Sequence, residues 1–179
     1  QTTALVEAKL DELQYARWNL SGVNLNAGLK SAVASVRLTS DNELLKMQSE
    51  ADLRLDRKYM DGRLNMKVEE LDLYNLGIAS EPLEHPVAFN LGAEARRDSI
   101  KLRMDAGDMD LQFRARSTLE ELLGQSDKFV AILTKQIEER RLDHAALRQV
   151  LPSAGMQLTA GQANPVSDFL KTKNIRFND

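Results

Sequence analysis

The chain has 179 residues, 42% hydrophobic and 28% charged, a composition close to that of globular proteins and unlike that of disordered or fibrous chains. Its 24 basic and 27 acidic residues give a net charge of −3, without the basic excess that nucleic-acid binding usually needs. The lack of cysteine excludes disulfides and thiolate chemistry, and no run reaches the roughly 18 apolar residues of a membrane span. We therefore expect a folded, mildly acidic unit with no nucleic-acid partner, and we expect any membrane anchor or targeting signal to lie outside this chain.

Residues 1–117 alternate apolar and polar side chains with a period of two, which is typical of antiparallel strands with one covered and one solvated face. The alternation is longest over residues 45–55 and predicts one strand of about eleven residues. The preceding strand is expected over residues 32–38, with Ala32 on its apolar face, and Asp41-Asn42 predicts the turn between the two strands.

Asp61-Gly62 is the strongest hairpin signal, because both residues tolerate the positive φ angles of a type I′ turn. The returning strand is expected to contain Leu64, Met66 and Val68. Three more strands should follow, joined by turns at residues 97–99 and 106–108; they cover residues 87–95, 100–106 and 109–116.

Two prolines, Pro82 and Pro86 around His85, predict a break between the two groups of strands, since proline cannot donate to a ladder. We therefore expect an antiparallel β-meander, or a curved amphipathic sheet, in which this break separates the two groups of strands.

At Ser117 the period changes to 3.6, which predicts a helical insert over about residues 118–151. Ser117 to Glu120 match a capping box, with the serine as the N-cap. Gly124 is placed to stop or kink the first helix, and Asp143 resembles a second N-cap. The prediction is thus of three regions: β structure over 1–117, the helical insert, and a mixed region over 152–179.

The mixed region opens with the alternating residues Met156, Leu158 and Ala160, which predict a strand. Asn164-Pro165 then predicts a short C-terminal helix, with Asn as the cap and Pro in the first turn. The apolar side of this helix should hold Val166, Phe169 and Leu170, and a last strand is expected around Ile175 and Phe177.

Catalytic motifs are missing from the sequence, which has no Gly-x-Ser-x-Gly elbow, P-loop or dinucleotide fingerprint. His85 and His144 have no nucleophile or ligand at a meaningful spacing. Asp105, Asp108 and Asp110 resemble calcium ligands, but they flank a glycine where a hairpin turn is needed and lack EF-hand spacing. We expect no catalytic residue, no cofactor and no metal site.

A long apolar face, rich in Leu and Met, is the main functional signal of the sequence, because such a face must meet another layer, a partner or lipid chains. Ordinary core packing against the helical insert remains the competing interpretation. The residues expected on this face are Leu53, Leu55, Leu64, Met66, Phe89, Leu91, Leu102, Met104, Met109, Leu111 and Phe113.

Three segments of the sequence carry motifs of a known protein family. The first is residues 71–78 (LDLYNLGI), followed by Glu-Pro-Leu at 81–83. The second is the strand-turn-strand of residues 100–113, centred on Ala-Gly-Asp. The third joins Gly161, Asn-Pro at 164–165 and Phe-Leu at 169–170. Together these segments resemble the TamB-like proteins of the bacterial AsmA superfamily, and the resemblance extends over roughly residues 20–179.

The resemblance implies an internal or C-terminal segment of an inner-membrane-anchored protein of the cell envelope that extends through the periplasm as a curved β-sheet with a hydrophobic concave face. It implies a non-enzymatic role in phospholipid transport toward the outer membrane and in outer-membrane protein assembly. Phospholipid acyl chains and an outer-membrane assembly partner are the expected contacts. The helical insert departs from a plain β repeat and is expected to cap or plug the sheet. The alternative is a structural or protein-interaction β module with a closed core.

Overall fold

The structure is a computed structural model. It describes residues 3–15, 18–55, 58, 61–84, 87–139, 144–150, 154–161 and 163–172.

The described residues form one antiparallel sheet of nine strands in which every strand pairs with its neighbours in sequence order. The mainly β prediction is therefore confirmed, and the meander extends over the whole sheet. The strands are β1 Thr3–Tyr15, β2 Trp18–Lys30, β3 Val33–Asp41, β4 Leu45–Arg54, β5 Asp61–Leu71, β6 Val87–Arg96, β7 Ser99–Ala106, β8 Met109–Arg116 and β9 Ala154–Ala160.

The predicted type I′ turn at Asp61-Gly62 is wrong. Both residues belong to β5, where Asp61 pairs with Arg54 and Gly62 with Leu53. Gly62 does not have a positive φ; the glycines that do are Gly22, Gly77 and Gly107. The connection from β4 to β5 therefore lies before Asp61, and β4 ends one residue earlier than predicted.

Cross-strand pairing explains this register. A two-residue turn at positions 61–62 would place Leu53 opposite Glu70 and bring a charge onto the apolar face. The observed register instead pairs Met47 with Val68 and Ala51 with Leu64, and pairs of apolar side chains stabilise a sheet where a lone carboxylate opposite a leucine does not. The pairing of apolar residues between β4 and β5 therefore determines where the turn lies, although Asp-Gly is a favourable turn sequence.

The turns on either side of β3 also differ from the prediction. Ala32 was predicted in a strand, but it forms the β2–β3 turn with Ser31, and both residues have positive φ. After β3, the side-chain oxygen of Asn42 accepts hydrogen bonds from the Leu44 and Leu45 amides at 2.9 Å. The Asp41-Asn42 prediction is therefore shifted by one residue, because Asp41 still belongs to β3.

The predicted break around Pro82 interrupts the chain but not the sheet. The described part of the connection, residues 72–84, leaves the sheet through a run of turns, yet β5 and β6 on either side of it are paired neighbours. The Asp72 carboxylate accepts hydrogen bonds from the Asn75 amide and side chain, which lowers its pKa. His85 and Pro86 lie outside the described residues.

The helical insert contains α1, Leu119–Glu138, and α2, His144–Val150. Its capping box is one residue later than predicted: Thr118 Oγ1 accepts from the Glu121 amide, and Glu121 Oε2 accepts from the Thr118 amide, both at 3.2 Å. Gly124 neither stops α1 nor ends its first turn. The predicted N-cap Asp143 lies outside the described residues.

The C-terminal helix is α3, Pro165–Thr172, and its predicted cap is confirmed, since Asn164 Oδ1 accepts from the Ser167 amide at 2.9 Å. Its inner side differs from the prediction: Leu170 is buried, but Val166 is 39% exposed. Pro165 and Asp168 are buried instead. The strand predicted around Ile175 and Phe177 lies outside the described residues.

The sheet is a single layer over most of its area. The chain exposes 12553 Å² of surface, whereas a compact protein of its mass would expose about 8,700 Å². Backbone contacts between described elements are extensive only between neighbouring strands and between α1 and α2. Extensive packing of the helices across the sheet, which the alternative of a closed core requires, is therefore not seen in the part of the chain that the structure describes.

Candidate functional site

One face of the sheet carries an uninterrupted apolar surface. Residues that pair across antiparallel strands share a face, so the register defines rows that run across the strands. The two central rows contain no charged residue and, apart from Ser49, only apolar ones. The first is Val6, Ala27, Val36, Ala51, Leu64, Ala93, Leu102, Phe113 and Met156; the second is Leu25, Leu38, Ser49, Met66, Leu91, Met104, Leu111 and Leu158.

Two flanking rows border the central rows, one at each end of the strands. We name them after the nearby turns at Gly107 and Arg97. The Gly107 row is Val23, Ser40, Met47, Val68, Phe89, Ala106, Met109 and Ala160; the Arg97 row is Ala4, Leu29, Ala34, Leu53, Gly62, Ala95, Ile100, Ala115 and Ala154.

The opposite face is polar and salt-bridged. Arg37 pairs with Glu50 at 3.3 Å, and Arg103 pairs with Asp110 at 3.1 Å and with Asp105 at 3.2 Å. These two carboxylates raise the pKa of Arg103. Exposed pairs of this kind add little stability. Their charges keep this face of the sheet solvated, whereas the apolar rows lie on the opposite face.

The flanking rows are partly closed, whereas the central rows are open. Buried residues occur in the Gly107 row, for example Val68 and Met109, and in the Arg97 row, for example Ile100. No described member of the central rows is fully buried, and Met156 and Leu158 are 60% and 50% exposed. The result is an open apolar strip, formed by the two central rows and bordered by buried residues along much of the Gly107 row and, between β6 and β8, along the Arg97 row.

Two segments with buried apolar residues lie at the Gly107 end of the strands. The connection 72–84 contains the buried residues Leu76 and Ala79, and α3 contains Leu170. Lys171 joins the two segments, since its Nζ lies 3.3 Å from Glu84 Oε2 and 3.2 Å from Asp168 Oδ1. The hydrogen bond to Asp168, and then that to Glu84, raises the pKa of Lys171.

Asp108 holds α3 to the β7–β8 turn. Its carboxylate accepts hydrogen bonds from the Ala163 amide at 2.8 Å and from Asn164 Nδ2 at 2.9 Å, and both bonds lower its pKa, the one from Asn164 most. Asn164 is 1% exposed and also donates to the Gly161 carbonyl at 3.1 Å. This Asp108–Asn164 latch fixes the segment that borders the open strip.

The Arg97 row is covered at one point by the helical insert. Leu122, in the first turns of α1, packs against the buried cluster of Ala95, Ile100 and Ala115. Beyond this contact α1 has little backbone contact with any strand. The insert therefore borders the strip at its β6–β8 end and does not lie across it.

The structure places the predicted face residues on the apolar side of β4–β8, with one difference. Leu55 follows the last residue of β4 and is 51% exposed. Seven of the others lie in the central rows between β5 and β8, where Met66 and Leu91 are directly paired. They are Leu64, Met66, Leu91, Leu102, Met104, Leu111 and Phe113. Leu53, Phe89 and Met109 lie in the flanking rows.

Two features were not predicted from the sequence. They are the Asp108–Asn164 latch and the contribution of the two edge strands, β1 and β9, to the open strip. Asp108 was interpreted as a turn residue, and Asn164 as a helix cap, without a link between them. Their signal is present in the sequence, because a carboxylate beside a glycine turn and a buried Asn cap both need partners. The sequence does not indicate that Asp108 and Asn164, which are 56 positions apart, are in contact with each other.

A shallow depression of about 510 Å³ lies on the polar face, around Gly92 between β4 and β7, and is lined by Gln48, Asn65, Lys67, Asn90, Arg103 and Asp105. It is open to solvent and lies on the other side of the sheet from the apolar strip. Arg103 and Asp105 form a salt bridge with each other there, so neither of these charged groups requires a ligand.

Within the described ranges, no three His, Asp or Glu side chains come together as metal ligands, and none of the helices is both long and apolar enough to span a membrane. A scan against protein-family models, a search of curated proteins and a search of solved structures found no match to this chain.

Proposed function

We propose that this chain binds lipid acyl chains along the open strip of its central rows and acts as a non-enzymatic part of a lipid-transporting protein of the cell envelope. The observation that carries the proposal is the strip itself: two apolar rows without charge, in which no described residue is fully buried, and which are bordered by buried residues along much of the Gly107 row and at β6–β8 of the Arg97 row.

Acyl chains match the chemistry of the strip. The strip offers no charged side chain with which a polar ligand could pair, and its Leu and Met side chains adapt to flexible hydrocarbon. Burying apolar surface contributes about 25 cal/mol per Å² and needs no particular orientation. A ligand held in this way can move along the rows, which suits transport better than permanent storage.

The dimensions also suit acyl chains. Nine strands about 4.8 Å apart give the strip a length of about 38 Å. An extended chain in one leaflet of a bilayer spans about 15 Å, half of the hydrocarbon core. The strip is thus long enough for two chains end to end, or for one chain with room to advance.

The envelope setting and the phospholipid cargo rest on the resemblance of three segments to TamB-like proteins. That resemblance also implies a periplasmic location, a membrane anchor outside this chain and a contribution to outer-membrane protein assembly. A single-layer amphipathic meander supports the proposal because it leaves an apolar face available. A module with a closed core would instead cover that face with its own helices.

Leu111→Arg, with Gln112→Arg as its matched control, tests the proposal. Leu111 lies in a central row of β8, and Gln112 is its neighbour on the polar face. Each variant and the native chain should be incubated with vesicles containing a photoreactive phospholipid and crosslinked, while far-UV circular dichroism and thermal unfolding report the fold.

We expect Leu111→Arg to remain folded, because the strip is open and the arginine can reach solvent, and to lose at least about 80% of the crosslinked lipid, since a charge is costly among acyl chains. Gln112→Arg should crosslink as the native chain does. Native-like crosslinking by folded Leu111→Arg would contradict lipid binding at this strip, and unfolding by Leu111→Arg alone would favour the closed-core module.

A further inference from the structure

The outer edge of β9 is unusually well suited to pairing. In the described residues β9 pairs only with β8, and its residues from Gly155 to Ala160 are exposed. Natural edge strands are usually protected by charged residues, proline or bulges. β9 has the sequence AGMQLTA, which contains no charge and no proline, whereas the other edge strand, β1, carries Glu7 and Lys9.

The number of strands limits which edges can join. In an antiparallel meander of nine strands, β1 and β9 run in the same direction. A copy shifted sideways, with its apolar face on the same side, would therefore pair its β1 with β9 in parallel. A copy related by a two-fold axis perpendicular to the sheet would pair β9 with β9 in antiparallel fashion, which forms the more stable ladder.

The sequence of β9 is self-complementary in that arrangement. With Gln157 on the two-fold axis, Met156 lies opposite Leu158 of the second copy, and Gly155 lies opposite its Thr159. Apolar residues then meet apolar residues on one face, and small or polar residues meet on the other. A shift by one residue would instead bring Met156 opposite a residue of the polar face.

We propose that two copies of this chain pair through β9, about Gln157, to form one sheet of eighteen strands. Because Met156 belongs to one central row and Leu158 to the other, each central row continues into the other central row of the second copy. The open apolar strip thereby doubles to about 80 Å. The pairing follows from the edge and its register and does not depend on what the strip binds.

The association should be weak. Pairing of one seven-residue strand buries much less than the roughly 1,200 Å² of a stable interface. We therefore expect a dimer whose population depends on protein concentration. The test should trap this dimer covalently.

Single-cysteine crosslinking is suited to this test because the chain contains no cysteine. Gln157→Cys places a thiol at the proposed axis, next to its own copy. Gln112→Cys is the matched control, because Gln112 pairs with Gln157 on the same face but lies one strand inside the edge. Thr159→Cys controls for register, since its partner would be Gly155.

Under mild oxidation of the full chain, we expect Gln157→Cys to form a covalent dimer at least about ten times faster than either control, because only at the axis are identical residues about 5 Å apart. Equal rates for Gln157→Cys and Gln112→Cys would overturn the proposal, and equal rates for Gln157→Cys and Thr159→Cys would overturn the register.

Sedimentation equilibrium provides a readout without crosslinking. The native chain should dimerise at concentrations up to about 1 mM, the range of weak association, and Leu158→Lys should stay monomeric with an unchanged circular dichroism spectrum, since an inward lysine blocks an edge. A native chain that remains monomeric throughout, or a Leu158→Lys chain that dimerises equally, would contradict the pairing.

Discussion

Gly107 shows most clearly how a single residue fixes the border of the strip. It has a φ of +58°, and a Cβ at this position would collide with the carbonyl oxygen of Ala163. The glycine therefore allows both the tight β7–β8 turn and the close approach of the chain that leads into α3. Gly92, in the middle of β6, has neither constraint, since the nearest atom to its Cβ would be Asn65 Oδ1 at 3.9 Å.

We predict that Gly107→Ala destabilises the fold by at least about 2 kcal/mol, because the left-handed conformation costs a non-glycine residue about 1–2 kcal/mol before the collision is counted. The matched variant Gly92→Ala should leave stability unchanged or raise it by up to about 1 kcal/mol, because alanine lowers the entropy of the unfolded chain. Urea denaturation monitored by circular dichroism measures both, and equal midpoints for the two variants would contradict this account of Gly107.

Asp108 makes the latch sensitive to pH. Hydrogen bonds from Asn164 and Ala163 lower its pKa in the folded chain. The carboxylate therefore stabilises the fold above its unfolded pKa of about 3.9, and that contribution disappears as the pH falls through the lower folded value.

We predict that Asp108→Asn reduces stability at pH 7 and that its difference from the native chain shrinks as the pH is lowered below about 4. Comparison of the two chains is needed because other carboxylates, such as Asp72, also have lowered pKa values. Denaturant unfolding at a series of pH values measures the difference. If the difference stayed constant between pH 7 and pH 3, the charge of Asp108 would have no part in the latch.

At the scale of elements, the helical insert is an addition to the sheet and not its second layer. Ala115 pairs directly with Ala154, so the ends of β8 and β9 are close enough for a tight turn. α1 and α2 lie between them in sequence, and α1 contacts the sheet at Leu122.

We predict that replacing residues 117–152 by Asn-Gly yields a folded nine-stranded sheet, because this dipeptide suits a type I′ hairpin turn. The loss of the half-buried Leu122 should cost about 1 kcal/mol. Circular dichroism should lose its helical signal and keep its strand signal, and phospholipid crosslinking should be retained. A shortened chain that is unfolded, or folded but unable to crosslink lipid, would show that the helices are part of the site.

Most element types could be predicted from periodicity, but their boundaries depended on side-chain partners. Both Ser117 and Thr118 can cap a helix, and Thr118 is the cap because the glutamate three residues later, Glu121, reaches back to its amide. Asn164 was predicted correctly because the following proline leaves only one register for the helix start.

At the scale of the whole molecule, the nine-stranded meander aligns side chains from strands far apart in sequence into rows. Val6 and Met156 lie at opposite ends of the same central row. Each strand alone presents only about four apolar residues, and the open strip exists only because the registers of eight strand pairs bring these residues into line.

The alternation of apolar and polar residues by itself determined that the chain forms an antiparallel sheet and which side chains lie on its apolar face. It could not determine the register, because a slip of two residues leaves every side chain on the same face. Only the tertiary structure decided that Leu53 pairs with Gly62, that Asp108 meets Asn164 and that the helices leave the central rows open. These depend on contacts between distant positions, and a local sequence pattern carries no information about which distant positions meet.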